Sequence, residues 1–207
     1  MASPTENIHW LGHASIKITG DKTIYIDPWK LEKADPADVI LITHDHFDHL
    51  SEEDIAKIRR DDTVIVCPPD SVAKFTGDIR SARAGHALEV DGVIVEPVAA
   101  YNTNKDFHPK SNQWVGYVVT VGGIRIYVSG DTDVIPEMEN LENIDVAIVP
   151  IGGTYTMTAD EAAQAVNTIR PKVAVPFHYG DIVGSNADAQ RFKELCRVSV
   201  EILSPEQ

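Results

Sequence analysis

The feature that most constrains this chain is the hexapeptide His-Asp-His-Phe-Asp-His at residues 44–49, which follows an apolar run at residues 39–42. Neutral imidazole nitrogens and carboxylate oxygens are the ligands that zinc, iron and manganese take in catalytic sites. If the chain leaves the apolar run still extended, residues two apart project to the same side, so His44 and His46 can bind one ion together. The chain has 8 histidines in 207 residues, and chance rarely gathers three of them in six positions. We therefore interpret the hexapeptide as a metal site rather than a solvated loop.

Further ligand-type residues stand where other predicted strands end. Asp48 and His49 lie where the hexapeptide turns towards a predicted helix, and we expect them to face a second ion. Asp27, Asp131 and His178 each follow an apolar run. Strand ends are where sheet proteins gather catalytic groups, because the scaffold fixes their positions. Each aspartate alone is typical of a surface turn, but together with the hexapeptide the set predicts one site.

The composition narrows the class of protein. The formal charge is −14, with 43% hydrophobic and 24% charged residues, which predicts one folded domain over residues 1–207. An acidic surface without a basic cluster disfavours nucleic acid, so we expect a small-molecule substrate, which can be anionic. The N-terminus lacks the features of a signal peptide, and no run approaches the length of a membrane span. We therefore expect a cytoplasmic protein, either monomeric or oligomeric.

The hydrophobic pattern predicts strands interspersed with helices. Ser51 and Thr158 are candidate helix caps, and Gly122-Gly123 is a candidate hairpin turn. Mixed strands with helices among them favour two packed sheets with helices outside. The predicted strands are 8–18, 23–26, 39–42, 64–67, 93–95, 115–121, 124–128, 146–149 and 173–176, with an edge strand at 198–203, and the predicted helices are 51–59, 136–141, 158–169 and 187–196.

The ordered set of motifs resembles the metallo-β-lactamase superfamily. Its signature H-x-H-x-D-H corresponds to residues 44–49, and its G-D-T aspartate to Asp131. Asp27, His108 and His178 follow in the order that the family expects. Within the superfamily, the sequences at residues 10–15 and 152–157 resemble the small "Zn-dependent hydrolase" branch related to ascorbate-6-phosphate lactonases.

This resemblance implies an α+β fold, a four-layer αββα sandwich with a metal site at one edge of the sheets. It implies two divalent ions, with zinc expected and manganese or iron as alternatives, and a water or hydroxide between them that attacks the substrate. Asp131 would bridge the ions, Asp48 would serve both as ligand and as catalytic carboxylate, and Asp27 would orient a ligand imidazole. The implied ligands of one ion are His44, His46 and His108, and those of the other are Asp48, His49 and His178.

Several assignments stay open at this level. His86 competes with His108 as third histidine, and we favour His108 because it stands 23 residues before Asp131 in a loop. His9 and His13 lie four apart in a predicted strand, which would point them the same way, and the resemblance would place His13 near the site entrance. Candidates for substrate contacts are His13, Asn102, Thr154 and Tyr155. Asp133 and Asp181 stand close to ligands and are candidates for supporting them from outside, but we favour surface charges for both.

We expect a metal-dependent hydrolase of a small ester, lactone or phosphoester. The first alternative is a phosphodiesterase for a nucleotide or phospholipid-like substrate, since the same two-ion site serves both. The others are a non-hydrolytic metal- or ligand-binding protein and an iron redox protein, and metal identity would separate these because zinc cannot change valence.

Overall fold

The chain builds two mixed β-sheets. The computed structural model describes residues 3–206, in which six strands form the first sheet in the order β1-β2-β3-β4-β5-β6. Strands β1 to β3 pair antiparallel, and β3 to β6 pair parallel. The strands are β1 Ile8–Gly12, β2 Ser15–Ile18, β3 Ile24–Ile26, β4 Val39–Leu41, β5 Val64–Cys67 and β6 Ile79–Ser81.

The second sheet has seven strands in the order β13-β12-β11-β10-β9-β8-β7. Strands β7 to β10 pair antiparallel, and β10 to β13 pair parallel. The strands are β7 Leu88–Val90, β8 Val93–Ala99, β9 Val115–Val121, β10 Ile124–Val128, β11 Val146–Pro150, β12 Val173–Phe177 and β13 Ser199–Val200.

Helices cover the outer faces of both sheets. Helix α1 is Glu52–Ile58, α2 is Ala159–Ile169 and α3 is Asn186–Leu195, and short 3-10 turns occupy Val72–Lys74, Lys110–Asn112 and Pro136–Asn140. Ser51 caps α1, and Thr158 with Glu161 forms a capping box at α2, as predicted. No helix in residues 3–206 has the length and apolar character needed to cross a membrane.

Strand β4 shows why the sheets stack in layers. It is buried on both faces, and successive side chains of a strand point to opposite sides. Val39 and Leu41 belong to the core between the sheets, whereas Ile40 packs with α1 through Ile55 and Ile58. Helix α2 buries its apolar face against the second sheet. The predicted α+β sandwich with helices outside is therefore confirmed.

The predicted strand over residues 8–18 is wrong in one respect, because the chain reverses within it. Gly12 has a φ of 102° and His13 a φ of 47°, and these left-handed conformations make a tight turn between β1 and β2. The apolar pattern of residues 8–18 predicts one continuous strand and gives no signal for this turn. His9 and His13 consequently do not face the same way: His9 contacts Glu206 and Thr19, whereas His13 is buried.

Other strands also differ from the prediction, which omitted β6 and β7, ended β8 at residue 95 and made β13 longer than its two residues. Strand β8 continues through Pro97, which lies opposite Tyr117 of β9. Strand β7 pairs only with residues 93–95, so the missing N–H of Pro97 costs no hydrogen bond on that side. Strand β6, with the sequence Ile-Arg-Ser, is an edge strand whose polar composition gave no periodic signal.

Candidate metal centre

The candidate ligands meet at one edge of the sandwich. Asp27 directly follows β3, the hexapeptide follows β4, Asp131 follows β10 and His178 directly follows β12. Strands β3 and β4 are parallel, as are β10 to β12, so their carboxyl ends lie at the same edge of each sheet. Stacking the two sheets brings these loops together.

Three histidines form a first ligand group, namely His44, His46 and His108. One ring nitrogen from each lies within 4.8 Å of the others. His44 Nε2 is 3.1 Å from His46 Nδ1, although the chain bends after His44 rather than staying extended. Nitrogens bound to one tetrahedral zinc lie roughly 3.3 Å apart, given Zn–N distances of about 2.0–2.1 Å. The spacing therefore suits a shared ion.

A second ligand group contains Asp48, His49 and His178. Their ligand atoms also lie within 4.8 Å of one another, and His13 belongs to the same cluster. His13 Nε2 is 2.9 Å from Asp48 Oδ2, and its ring centroid is 3.9 Å from that of His178. Three or four donors thus surround a second position beside the first.

Asp131 lies between the two groups. Its Oδ2 is 3.3 Å from His108 Nε2 of the first group and 3.2 Å from His178 Nε2 of the second. Its Oδ1 is 3.4 Å from His49 Nε2. A single buried carboxylate is therefore within reach of ions bound by either group.

The hydrogen bonds of the imidazole nitrogens show whether these residues suit cations. His49 and His108 each use Nδ1 for a hydrogen bond within the protein, at 2.7 Å to Asp27 and 3.1 Å to Asn102. Within residues 3–206, Nε2 of His49, His108 and His178 and Oδ1 of Asp131 are buried without a hydrogen-bond partner. Unpaired buried polar atoms are costly, and bound cations would satisfy all four. The residues fit a metal centre.

Asp27 and Thr43 hold this arrangement from behind. Thr43 donates from its backbone N–H to Asp27 Oδ1 at 2.8 Å and from its hydroxyl to Oδ2 at 2.6 Å. Asp27 also accepts the Nδ1–H of His49, so it fixes the tautomer that leaves Nε2 free. Asp27, His13 and His178 have φ values of 48°, 47° and 59°. Such conformations cost about 1 kcal/mol or more each and cluster at functional sites.

The pKa shifts agree with a cation site. Burial lowers the pKa of His44 well below its usual value, so its ring is neutral, as a ligand must be. Burial raises the pKa of Asp131, but the imidazoles of His178 and His49 outweigh it and hold that pKa well below the usual value. Burial also lowers the pKa of His49, yet the carboxylates of Asp131 and Asp27 raise it well above normal. A bound cation would replace the proton that His49 otherwise carries.

The two candidates for the third histidine occupy different environments. His108 is buried in the first ligand group, whereas His86 is exposed in a turn before β7. Asn102 accepts hydrogen bonds from the backbone N–H of His108 at 2.9 Å and from its ring, and donates to the carbonyl of Tyr155 at 3.0 Å. The Asn102 amide is thus engaged within the protein, and its contact with substrate stays a prediction.

Four other residues near the centre complete the comparison with the sequence. Thr154 is exposed and Tyr155 is half-buried, with its ring edge-on to Phe107 at 4.7 Å. Asp181 pairs with Lys30 at the surface, as expected. The expectation for Asp133 was wrong, because its side chain is buried and accepts hydrogen bonds from Thr103, Asn104 and Lys105, which orders the loop before His108.

Sequence reasoning did not identify Trp114. Its ring lies 4.9 Å from the rings of both His44 and His46, and its Nε1 donates to Asp70 at 2.7 Å. The Trp114 ring thus forms one side of the first ligand group. Its position directly before a strand and six residues after His108 was the available signal.

Comparison with known proteins agrees with the fold and the site. Residues 7–178 match the family described as "Beta-lactamase superfamily domain". A "UPF0173 metal-dependent hydrolase" of Thermococcus onnurineus is 36% identical, over 95% of this chain and 94% of that protein. A "UPF0173 metal-dependent hydrolase" of Pyrococcus abyssi is 35% identical, over 96% of both chains.

Solved structures share the architecture. The crystal structure of a protein from Parabacteroides distasonis matches this chain with a TM-score of 0.85 and 33% sequence identity. The match covers 97% of this chain and 93% of that one. Igni18, a metallo hydrolase of Ignicoccus hospitalis, has a TM-score of 0.78 and 23% identity, covering 97% and 95%, which shows the fold alone. The chain therefore belongs to the metallo-β-lactamase superfamily.

Proposed function

We propose that this protein is a metal-dependent hydrolase with two divalent ions. The observation that carries the proposal is the set of unpaired buried ligand atoms on both sides of Asp131. His44, His46 and His108 would hold one ion, Asp48, His49 and His178 the other, and Asp131 would bridge them. Two relatives that are 36% and 35% identical are named metal-dependent hydrolases, which supports the reaction class.

When bound, the ions would lower the pKa of water and stabilise developing negative charge, which supplies a nucleophile near neutral pH. We propose zinc, with manganese and iron as alternatives, because the ligand set is histidine-rich with two carboxylates. The chain's part is to hold the ligands rigidly. Asp27 and Asn102 fix the ring nitrogens of His49 and His108 through hydrogen bonds of 2.7 and 3.1 Å.

Asp48 has a further part in the site. Burial raises its pKa, but the hydrogen bond from His13 leads the contributions that lower the value, to about 2. Asp48 therefore stays ionised at neutral pH, ready to bind a cation. His13 is buried and holds the Asp48 carboxylate at 2.9 Å, so it orients Asp48 within the second ligand group.

The substrate that we propose is a small ester, lactone or phosphoester. The resemblance of residues 10–15 and 152–157 to proteins related to ascorbate-6-phosphate lactonases motivates this range. A phosphodiesterase activity would use the same residues, so a substrate panel has to separate the two. The panel is p-nitrophenyl acetate, γ-butyrolactone, p-nitrophenyl phosphate and bis(p-nitrophenyl) phosphate, each assayed with metal-loaded protein.

The matched variants are Asp131→Ala, which removes the proposed bridge, and His86→Ala, which removes an exposed histidine outside the centre. We expect hydrolysis of at least one carboxylic ester, lactone or phosphomonoester of the panel by the wild type and by His86→Ala, and none by Asp131→Ala. Turnover of bis(p-nitrophenyl) phosphate alone would support the phosphodiesterase instead. Equal turnover by wild type and Asp131→Ala would overturn the assignment of the site.

A further inference from the structure

Large apolar side chains exposed to water concentrate around the metal centre. The described residues include four of them, Phe47 at 71% exposure, Phe107 at 47%, Ile94 at 46% and Ile182 at 40%. Phe47 stands directly before Asp48, Phe107 directly before His108, and Ile182 four residues after His178. Consecutive Cα atoms are about 3.8 Å apart, so two of these side chains start one residue from a ligand. Three separate loops that carry candidate ligands thus each carry an exposed apolar side chain.

Two further aromatic rings extend this surface. Trp29 is half-buried, with its ring centroid 6.1 Å from that of Phe47 and 5.0 Å from that of His13. Tyr155 is half-buried against Phe107 at 4.7 Å. We call this set, Trp29, Phe47, Phe107, Tyr155 and Ile182, the apolar rim. Exposed apolar clusters of this kind mark binding surfaces in soluble proteins.

A cleft adjoins the apolar rim at Trp29. Its volume is about 730 Å³, and its lining includes His13, Trp29, Lys30 and Tyr179. His13 and Trp29, which line this cleft, also neighbour Asp48, at 2.9 Å, and Phe47, at 6.1 Å between ring centroids. Pockets for small ligands typically have volumes of about 300–1,000 Å³. The cleft is thus large enough for a hydrocarbon chain.

The charges beside the rim do not favour an anionic ligand. Lys74 pairs with Asp45, which lies between His44 and His46. In the same way Lys30 pairs with Asp181 and Lys105 with Asp133, each at 2.6 Å. These lysines are therefore neutralised by carboxylates that lie within three residues of candidate ligands. A phosphorylated substrate would therefore gain no unpaired cation from these three lysines, whereas an uncharged substrate needs none.

We propose that the apolar rim binds the acyl or alkyl chain of an uncharged carboxylic ester or lactone and so determines specificity for medium-length hydrocarbon chains. This inference rests on the proposed hydrolase function and narrows its substrate class. Each buried methylene contributes about 0.8 kcal/mol, and partial burial on an open rim would give about half, or roughly a twofold gain per methylene.

The test is a series of p-nitrophenyl esters from acetate to octanoate, assayed with metal-loaded wild type. The leaving group is constant, so only the acyl chain varies. We expect kcat/KM to rise about sixteenfold over the four methylenes from acetate to hexanoate. Phe47→Ala and Phe107→Ala should each reduce the hexanoate-to-acetate ratio several-fold, and Phe47→Leu should restore part of it. A ratio near one in the wild type, or an unchanged ratio in both alanine variants, would overturn the proposal.

Ile94→Ala is the matched control. Ile94 is exposed to a similar extent, but it lies near the start of β8, whereas the end of that strand leads to the site. We expect this variant to keep the wild-type ratio, and a fall equal to that of Phe47→Ala would contradict a specific rim. Metal content per chain is measured for every variant, because a phenylalanine change that removed metal would alter all esters together.

A binding measurement separates this inference from the proposed function. If metal-loaded wild type hydrolyses no ester of the series, the hydrolase assignment fails for esters. Calorimetric titration with the uncharged esters methyl acetate and methyl hexanoate then tests the rim alone. We expect methyl hexanoate to bind about sixteenfold more tightly than methyl acetate, and Phe47→Ala to reduce that preference. Equal affinities for the two esters would overturn the rim irrespective of catalysis.

Discussion

The carboxylate of Asp27 accepts a hydrogen bond of 2.7 Å from Nδ1 of His49, and both side chains are buried. The bond joins the end of β3 to the hexapeptide 22 residues later. It directs His49 Nε2 towards Asp131, 3.4 Å away. We therefore expect Asp27 to set the geometry of the metal centre through His49 rather than as a ligand.

Removal of this contact should weaken metal binding. In Asp27→Ala, His49 loses the partner that fixes its tautomer, and partners of this kind typically contribute about 10–100-fold in metal affinity. Competition with a chelator measures the change. Asp35→Ala is the control, because Asp35 is an exposed aspartate that pairs with Lys17. Equal metal affinity of Asp27→Ala and wild type would contradict the role of Asp27.

Two histidine variants test the third ligand of the first group. His108→Ala should lower the metal content by about one ion per chain, because it removes one of three nitrogens around a single position. His86→Ala should retain the wild-type content, since His86 is exposed in a turn. Elemental analysis of both variants gives the answer, and metal loss in His86→Ala alone would reverse the assignment.

Asp54 should stabilise the loop that carries Trp29. Its carboxylate accepts hydrogen bonds from the backbone N–H groups of Lys30 at 2.9 Å and Leu31 at 3.1 Å, and from Ser51 and Lys57. Hydrogen bonds to a charged group contribute about 1.5–3 kcal/mol. We therefore expect Asp54→Asn to lower the free energy of unfolding by about 1–3 kcal/mol at pH 7.

The effect of Asp54 should depend on pH. Burial raises its pKa, but the hydrogen bonds, that of Lys57 foremost, hold the pKa below its usual value. A lowered pKa in the folded state stabilises the protein above the unfolded value of about 3.9, and this contribution is lost as pH falls through the folded value. Urea titrations of wild type and Asp54→Asn should therefore converge below about pH 4. A constant difference between pH 7 and pH 3 would contradict this account.

Gly116 should be intolerant of a side chain. A Cβ at this position would lie 2.4 Å from the backbone oxygen of Ser129, which precedes Gly130 and Asp131. Backbone cannot move aside cheaply, so Gly116→Ala should cost about 1–3 kcal/mol or more and lower the metal content by displacing Asp131. Gly20→Ala is the control, because a Cβ there meets nothing within 4 Å, and its effect should stay within about 0.5 kcal/mol. Equal denaturant midpoints for the two variants would contradict this packing.

Local patterns in the sequence were sufficient to predict much of this molecule. The buried strands, the caps at Ser51 and Thr158, and the order of candidate ligands are written in short runs of residues, which periodicity and spacing can detect. The resemblance then supplied the layers of the fold and the grouping of the ligands. The superfamily is confirmed, whereas the ligand roles, the closer lactonase-like branch and the substrate stay predictions.

The features that sequence reasoning missed depend on contacts between distant segments. The turn at His13 lies inside an apolar run, and its left-handed backbone is stabilised where the His13 carbonyl accepts hydrogen bonds from His178 and Trp10. The sequence around Asp133 is typical of a surface charge, and its burial depends on the loop at residues 103–105, which folds over it. The exposure of Phe47 is also a property of the assembled site, since phenylalanine is among the residue types most often buried.

The central claim is that this chain binds two ions at one centre bridged by Asp131. The most direct test is elemental analysis, per chain, of protein purified without added metal, for the wild type and Asp131→Ala. The account predicts about two ions of zinc, manganese or iron in the wild type and a clear loss in the variant, with the fold retained by circular dichroism. One ion or none in the wild type, or the same content in both proteins, would contradict it.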